Sequence, residues 1–300
     1  MYSQIEKNKN LSFMLLVLFV LIVVVLAFVM GIGFTGDASA GIFYGITAFV
    51  ISFFSSIFTY YFGDSIVLQM TGAVDVSENP AYKDLNDRIE TLSIKAGIPK
   101  PKVYILPEQA LNAFATGRDP QHGHIAITEG LLRSFDAQEL EGVIAHEMAH
   151  IKNYDIRLML IVSVLAGVLT SLADLFFRGV FYSGDRGRDR DSGSLGLIMF
   201  VIAIIFAILA PIISLIIQMA ISRRREFLAD MSAVEITRYP NGLISALRKL
   251  ASDDRPVQRA TEGNAHMFID FPLKDAGNFL QKLFSTHPPI EDRISALEKI

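Results

Sequence analysis

The chain has 300 residues, of which 51% are hydrophobic, a net charge of −4, and neither cysteine nor tryptophan. That balance lacks the basic surplus of a nucleic-acid binder, so no nucleic acid is expected as a partner. The missing cysteines exclude disulfides, thiolate metal sites and a thiol nucleophile together.

Mean hydropathy is +0.40, and the apolar residues are gathered in blocks, the pattern of membrane spans beside a polar domain. The first block, residues 11–32, carries no charge. As a helix it reaches about 33 Å, enough to cross a hydrocarbon core of roughly 30 Å. A second uncharged block covers residues 42–62, after a short Gly-containing loop whose only charge is Asp37. Together they predict a membrane hairpin over residues 1–63. Lys7 and Lys9, the apolar run, and then Ala38, Ser39 and Ala40 also fit a cleaved secretory signal. The run exceeds the roughly 7–15 residues of such signals, however, and a second span follows at once, which favours an uncleaved anchor. Lys7 and Lys9 before the first span, with no Lys or Arg in the loop after it, place the N-terminus and the following domain in the cytoplasm.

Residues 64–157 turn ordinary in composition. An amphipathic helix is expected over 86–96, ending at Gly97 with Pro99 and Pro101 just beyond. Alternation predicts strands over 102–106 and 125–128. A helix then opens with Asp136 as N-cap and Glu139 completing a capping box, and Leu140, Val143, Ile144 and Ile151 form its buried stripe. Two more apolar blocks, 158–177 and 195–221, flank a loop with Arg178, Arg186, Arg188 and Arg190 among aspartates. Their length suits a second spanning pair within 158–221. The arginines of the loop and Asp174 oppose that, and leave a re-entrant or peripheral hairpin open. Residues 222–300 are polar again, with no internal repeat.

The chemistry is concentrated in His146-Glu147-Met148-Ala149-His150, an H-E-x-x-H on the capped helix. Its spacing puts both imidazoles on one face, where they can grip one tetrahedral zinc, and Glu147 stands beside them to take a proton from water. A catalytic zinc wants a third protein ligand. Glu226, in Arg223-Arg224-Arg225-Glu226-Phe227-Leu228-Ala229-Asp230, supplies it, and Asp230 one turn on can accept the other ring N–H of a ligating histidine. A helix carrying these residues by chance, or three arginines serving only as a stop-transfer anchor, is the plainer alternative.

This two-part motif within four apolar blocks resembles the HtpX-type membrane metalloproteases, gluzincins related to the CAAX prenyl proteases. The resemblance implies an α+β membrane protein: a mainly helical, gluzincin-like zinc protease domain with a small β-sheet, plus two to four transmembrane helices. It implies one zinc ion per chain and an endopeptidase of the bacterial inner membrane facing the cytoplasm. Such an enzyme acts on unfolded or misfolded membrane proteins and often on itself, with an ATP-dependent membrane protease working in parallel. It carries over His146, His150 and Glu226 as ligands, Glu147 as general base and Asp230 as support. On the same resemblance, Asn112, Ala113, Phe114 and Ala115 match a family edge strand that pairs with the substrate backbone, a form of β-augmentation. An ordinary strand and turn is the alternative there. His287, in Thr286-His287-Pro288-Pro289, would donate to the oxyanion and Arg293 would support the same charge. The alternative is a helix start with prolines in its first turn. His122 and His124 read as a loop pair, and His266 falls in an uninformative stretch, 260–277, that could act as a flap. A CAAX-type protease would want more spans than four blocks provide. A non-catalytic scaffold would want a closed zinc site rather than three ligands beside a glutamate.

Overall fold

The structure is a computed structural model that describes residues 2–165, 223–261, 264–270, 272 and 288–300. Helix α1 (Tyr2–Thr35) and helix α2 (Ala38–Met70) form an antiparallel pair, with Asp37 capping α2 by accepting from the Ser39 N–H. Stretches of both are long and apolar enough to cross a membrane, and only 17% and 22% of their most apolar windows are buried. Phe13, Leu21, Phe43, Ile51, Phe54 and Phe62 stand exposed along them. A water-facing patch of that size is foreign to soluble proteins, whereas lipid satisfies it. Gly31 lets the two backbones meet, since a Cβ there would lie 2.9 Å from the Gly41 Cα.

Both helices outrun their apolar blocks. α2 continues through Gly63, where the sequence suggests a domain boundary, to Met70 and the Thr71 cap, with Gly63 buried inside the helix rather than ending it. The membrane hairpin and the polar domain therefore share one rigid helix.

A four-stranded sheet follows: β1 (Val74–Asp75), β2 (Lys102–Leu106), β3 (Ala113–Gly117) and β4 (Gly123–Thr128), in the order β1-β2-β4-β3. β2 pairs parallel with β4, while β1 and β3 are antiparallel to their neighbours. Alternation divides the sheet's faces. Val103, Ile105, Ala113, Ala115, Ile125 and Ile127 enter the main core. Phe114, Leu106 and Ala126 enter a second cluster with Val67, Leu68, Met159 and Leu160. Helices α3 (Lys83–Ala96) and α5 (Ala137–Lys152) contribute to the main core, and short α4 (Glu129–Ser134) links β4 to α5. The second cluster joins the sheet to the C-terminal end of α2.

α5 starts with the expected capping box between Asp136 and Glu139. It is not buried along one stripe only: every residue from Gly142 to Ile151 is buried. The second face packs on α7 (Arg223–Thr237) and α8 (Pro240–Ala251). After a turn at Asn153 and Tyr154 a further helix, α6, runs from 155 and is described to 165; Leu158, Ile161, Val162 and Leu165 pack on Leu15 and Phe19 of α1. The rest of the second apolar pair lies outside the described residues. The last helix, α9, is Ile290–Leu297.

Gly142 is where α5 and α8 cross, and a Cβ on it would lie 2.8 Å from the Leu243 backbone nitrogen. Gly142→Ala is expected to force the helices apart and cost roughly 1–3 kcal/mol, seen as a lower midpoint of thermal unfolding in detergent.

Candidate active site

α5 presents His146, Glu147 and His150, α7 presents Glu226 and Asp230, and α9 brings in Arg293. The two Nε2 atoms lie 3.2 Å apart. Glu226 completes the triangle, its carboxylate oxygens 3.6 Å from each Nε2. All three side chains are buried, with one donor atom from each within 4.8 Å of the others.

The outer ring nitrogens are fixed by carboxylates. His146 Nδ1 lies 2.9 Å from Asp230 Oδ1, and His150 Nδ1 lies 3.1 Å from Asp155 Oδ2. Arg293 Nη2 also comes within 3.3 Å of His146 Nδ1, but one Nδ1 cannot both donate to Asp230 and accept from Arg293. The shorter contact decides: Nδ1–H donates to the carboxylate, and Arg293 Nη2 donates to Asp230 Oδ1 at 2.6 Å. Both rings thereby turn an Nε2 lone pair inward. Two lone pairs face to face repel unless a proton or a cation lies between them. Zinc–nitrogen bonds of about 2.0–2.1 Å at a tetrahedral angle separate two nitrogens by about 3.3–3.4 Å, close to the spacing found.

Charge leads to the same conclusion. Among the described residues here, Glu147, Asp155, Glu226 and Asp230 are buried carboxylates, against the buried guanidinium groups of Arg225 and Arg293. A divalent cation would balance the difference. Burial pulls the His146 imidazolium down and Arg293 adds to that, yet hydrogen bonds to Asp230 and Glu226 prevail and raise it to about 9. Burial likewise opposes charge on His150, and Asp155 and Glu226 raise it. Burial pushes Asp230 up, but the Arg293 charge holds it down at about 2. The pocket favours positive charge at its centre, and the donor set fits a divalent metal.

Arg293 is fully buried. It grips Asp230 with both arms, at 2.9 and 2.6 Å, and its Nη1 is 3.4 Å from the Ile269 carbonyl. It therefore sits behind His146, acting on that ring through Asp230. His287 lies outside the described residues, which resume at Pro288 just ahead of α9.

β3 is last in the sheet order, but the exposed edge expected at Asn112, Ala113, Phe114 and Ala115 is not what the structure has. Every residue from 112 to 117 is buried. The chain's own residues 268–270 lie alongside: Phe268 bridges Phe114, the Ile269 N–H donates to the Ala113 carbonyl at 2.9 Å, and Asn112 Nδ2 donates to the Asp270 carbonyl at 2.9 Å. Local sequence shows that β3 is a strand; it does not show which distant segment covers it. His266, from the same stretch, is buried against Ser163 Oγ and the Met159 carbonyl. His124 pairs with Asp64 at 3.3 Å and His122 with Asp119 at 2.7 Å, both away from the triangle. Asp155, which orients His150, is a participant that sequence reading misses. Its place beyond a turn and ahead of an apolar block gave only its charge as a signal.

A buried His–His–Glu triangle with a glutamate beside the first histidine defines an H-E-x-x-H metallopeptidase. Residues 80–300 match peptidase family M48. A protease HtpX homolog of Dictyoglomus thermophilum is 41% identical over 99% of this chain and 93% of its own length. Another, of Streptococcus gordonii, is 41% identical over 100% of both chains. The crystal structure of S. mikatae Ste24p superposes with a TM-score of 0.50 over 83% of this chain and 57% of that one, at 18% identity, a likeness of fold. The chain belongs to peptidase family M48.

Arg293→Ala would leave Asp230 buried without its guanidinium, with only the His146 N–H against it. The expected cost is roughly 3–5 kcal/mol, measured by thermal or denaturant unfolding of the purified protein.

Proposed function

We propose that this chain is a zinc-dependent endopeptidase working at the cytoplasmic face of the bacterial inner membrane, on peptide bonds of unfolded or damaged membrane proteins and on its own chain. The buried His146–His150–Glu226 triangle beside Glu147 carries the reading. Its setting supports it: α2 runs unbroken from the apolar hairpin to the domain, and α6 returns toward α1 directly after α5.

Zinc, when bound, supplies Lewis acidity and a more acidic water. Glu147 takes the proton from the attacking water and delivers it to the leaving amine. Asp230 and Asp155 hold the ligand tautomers, and Arg293 keeps Asp230 ionised. His287 donates to the oxyanion of the tetrahedral intermediate. The chain shows no ATP-driven unfolding motif, so substrates arrive loosened or are handed over by an ATP-dependent membrane protease acting in parallel. An extended substrate pairs with β3 through main-chain bonds, which accounts for broad specificity. For that to happen, residues 268–270 give up their place on the strand.

Detergent-purified protein, chelated and then returned to zinc, is expected to cut casein and itself. Glu147→Gln is expected to bind zinc and lose activity by roughly 100-fold or more. Equal activity of the two proteins would remove Glu147 as the base and the reading with it. The strand exchange has its own test. The bond from Ile269 to Ala113 makes Phe114 and Phe268 a non-hydrogen-bonded pair, with Cα atoms about 4.5 Å apart, within disulfide reach. In this cysteine-free chain, Phe114→Cys with Phe268→Cys is expected to lose cleavage on oxidation and regain it on reduction. Unchanged activity of the oxidised form means that the substrate binds elsewhere.

A further inference from the structure

A buried side chain of the first apolar helix reaches the metal site. Asn8 lies on α1 just before the apolar run, yet it is 1% exposed. Its Nδ2 donates to the Asn153 carbonyl at 2.9 Å and to Asp155 Oδ1 at 2.6 Å. Asn153 caps α5 at the end of the helix that bears both histidines. Asp155 uses its other oxygen, Oδ2, to accept from His150 Nδ1. Between the two lies Tyr154, held at φ 61°, a left-handed conformation that is strained for a non-glycine residue. Asn8 thus clamps a strained turn from both sides, and Lys9 adds a cation over the Tyr154 ring at 4.3 Å.

We propose that Asn8 is a positioning residue for the metal site: through Asp155 it holds the His150 ring with Nε2 aimed at the metal, so that seating of α1 sets metal affinity. An amide serving only as a helix cap would need the Asn153 carbonyl alone. Its second proton instead fixes the one Asp155 oxygen that His150 does not use, and a carboxylate held at Oδ1 cannot swing away from the ring. Arg225 Nη1, 3.6 Å from the same oxygen, supplies charge there but not direction. The packing of Leu15 and Phe19 on α6 brings Asn8 to this position.

The inference rests on His150 as a metal ligand. It is tested on the full-length protein in detergent by zinc competition against a chromophoric chelator, with unfolding of the metal-free protein followed in parallel. Outer-shell partners of ligating histidines are worth roughly 10–100-fold in metal affinity. Asn8→Ala is expected to weaken zinc about tenfold, and Asn8→Asp, which sets a carboxylate against Asp155, to weaken it further. Asp155→Asn is expected to weaken zinc similarly, and adding Asn8→Ala to it to change little, since both act through one contact. Leu15→Ala, which loosens the seating of α1, is expected to weaken zinc in an otherwise wild-type chain and to change little when added to Asn8→Ala. If Asn8→Ala does not fold, Asn8→Ser, which keeps a donor on a shorter arm, carries the same test. Zinc affinity within twofold of wild type in the Asn8 variants, or fully additive losses in the double variant, overturns the proposal. Wild-type protein that binds no zinc overturns the site reading itself, and the Asn8 role with it.

Discussion

Burying four carboxylates around two imidazoles opposes folding unless the charge is balanced and each group has a set partner. Here the balance comes in layers. Arg293 neutralises Asp230, Arg225 lies beside Asp155, and these two aspartates each take one histidine N–H. What is left is a site whose inward nitrogens and carboxylate call for a divalent cation. The chain supplies these layers from three separate helices, α5, α7 and α9, with α6 adding Asp155. The crossing of α5 over α7 and the glycine contact with α8 are the packing that lets the charges meet.

The protease domain and the two apolar helices are also joined by packing. α2 enters the domain without a break, its last turns joining the cluster beneath the sheet. α6 leaves the active site within a few residues of His150 and packs on α1. An intramembrane packing contact and a metal ligand are therefore separated by one turn and one carboxylate. A soluble scaffold could hold the same three ligands. The continuity with the hairpin fixes the site relative to the two long apolar helices.

β3 carries the second theme. In thermodynamic terms an uncovered edge strand is a liability, open to pairing with any extended chain. This protein covers it with residues 268–270, using Asn112 as a side-chain substitute for a backbone amide and an edge-to-face contact between Phe114 and Phe268 at 5.0 Å. Ile269 also hands its carbonyl to Arg293, so the covering segment and the charge layer behind His146 share a residue. Whatever displaces the cover also disturbs a neighbour of the metal ligands.

Much of this was readable from sequence because it is written in short-range pattern. Long uncharged runs set the hairpin, alternation set β2 to within its observed ends, and Asp136 with Glu139 set the start of α5. The i, i+4 spacing of His146 and His150, and of Glu226 and Asp230, needs only helical geometry to place each pair on one face. Tertiary structure alone decided the rest. It set Arg293 against Asp230, covered β3 with a segment far along the chain, buried both faces of α5, and joined Asn8 to Asp155. Those outcomes depend on which distant groups satisfy a buried charge or an open backbone edge. Helical and strand periods carry no record of that choice, because it is made by desolvation and packing between elements, not within them.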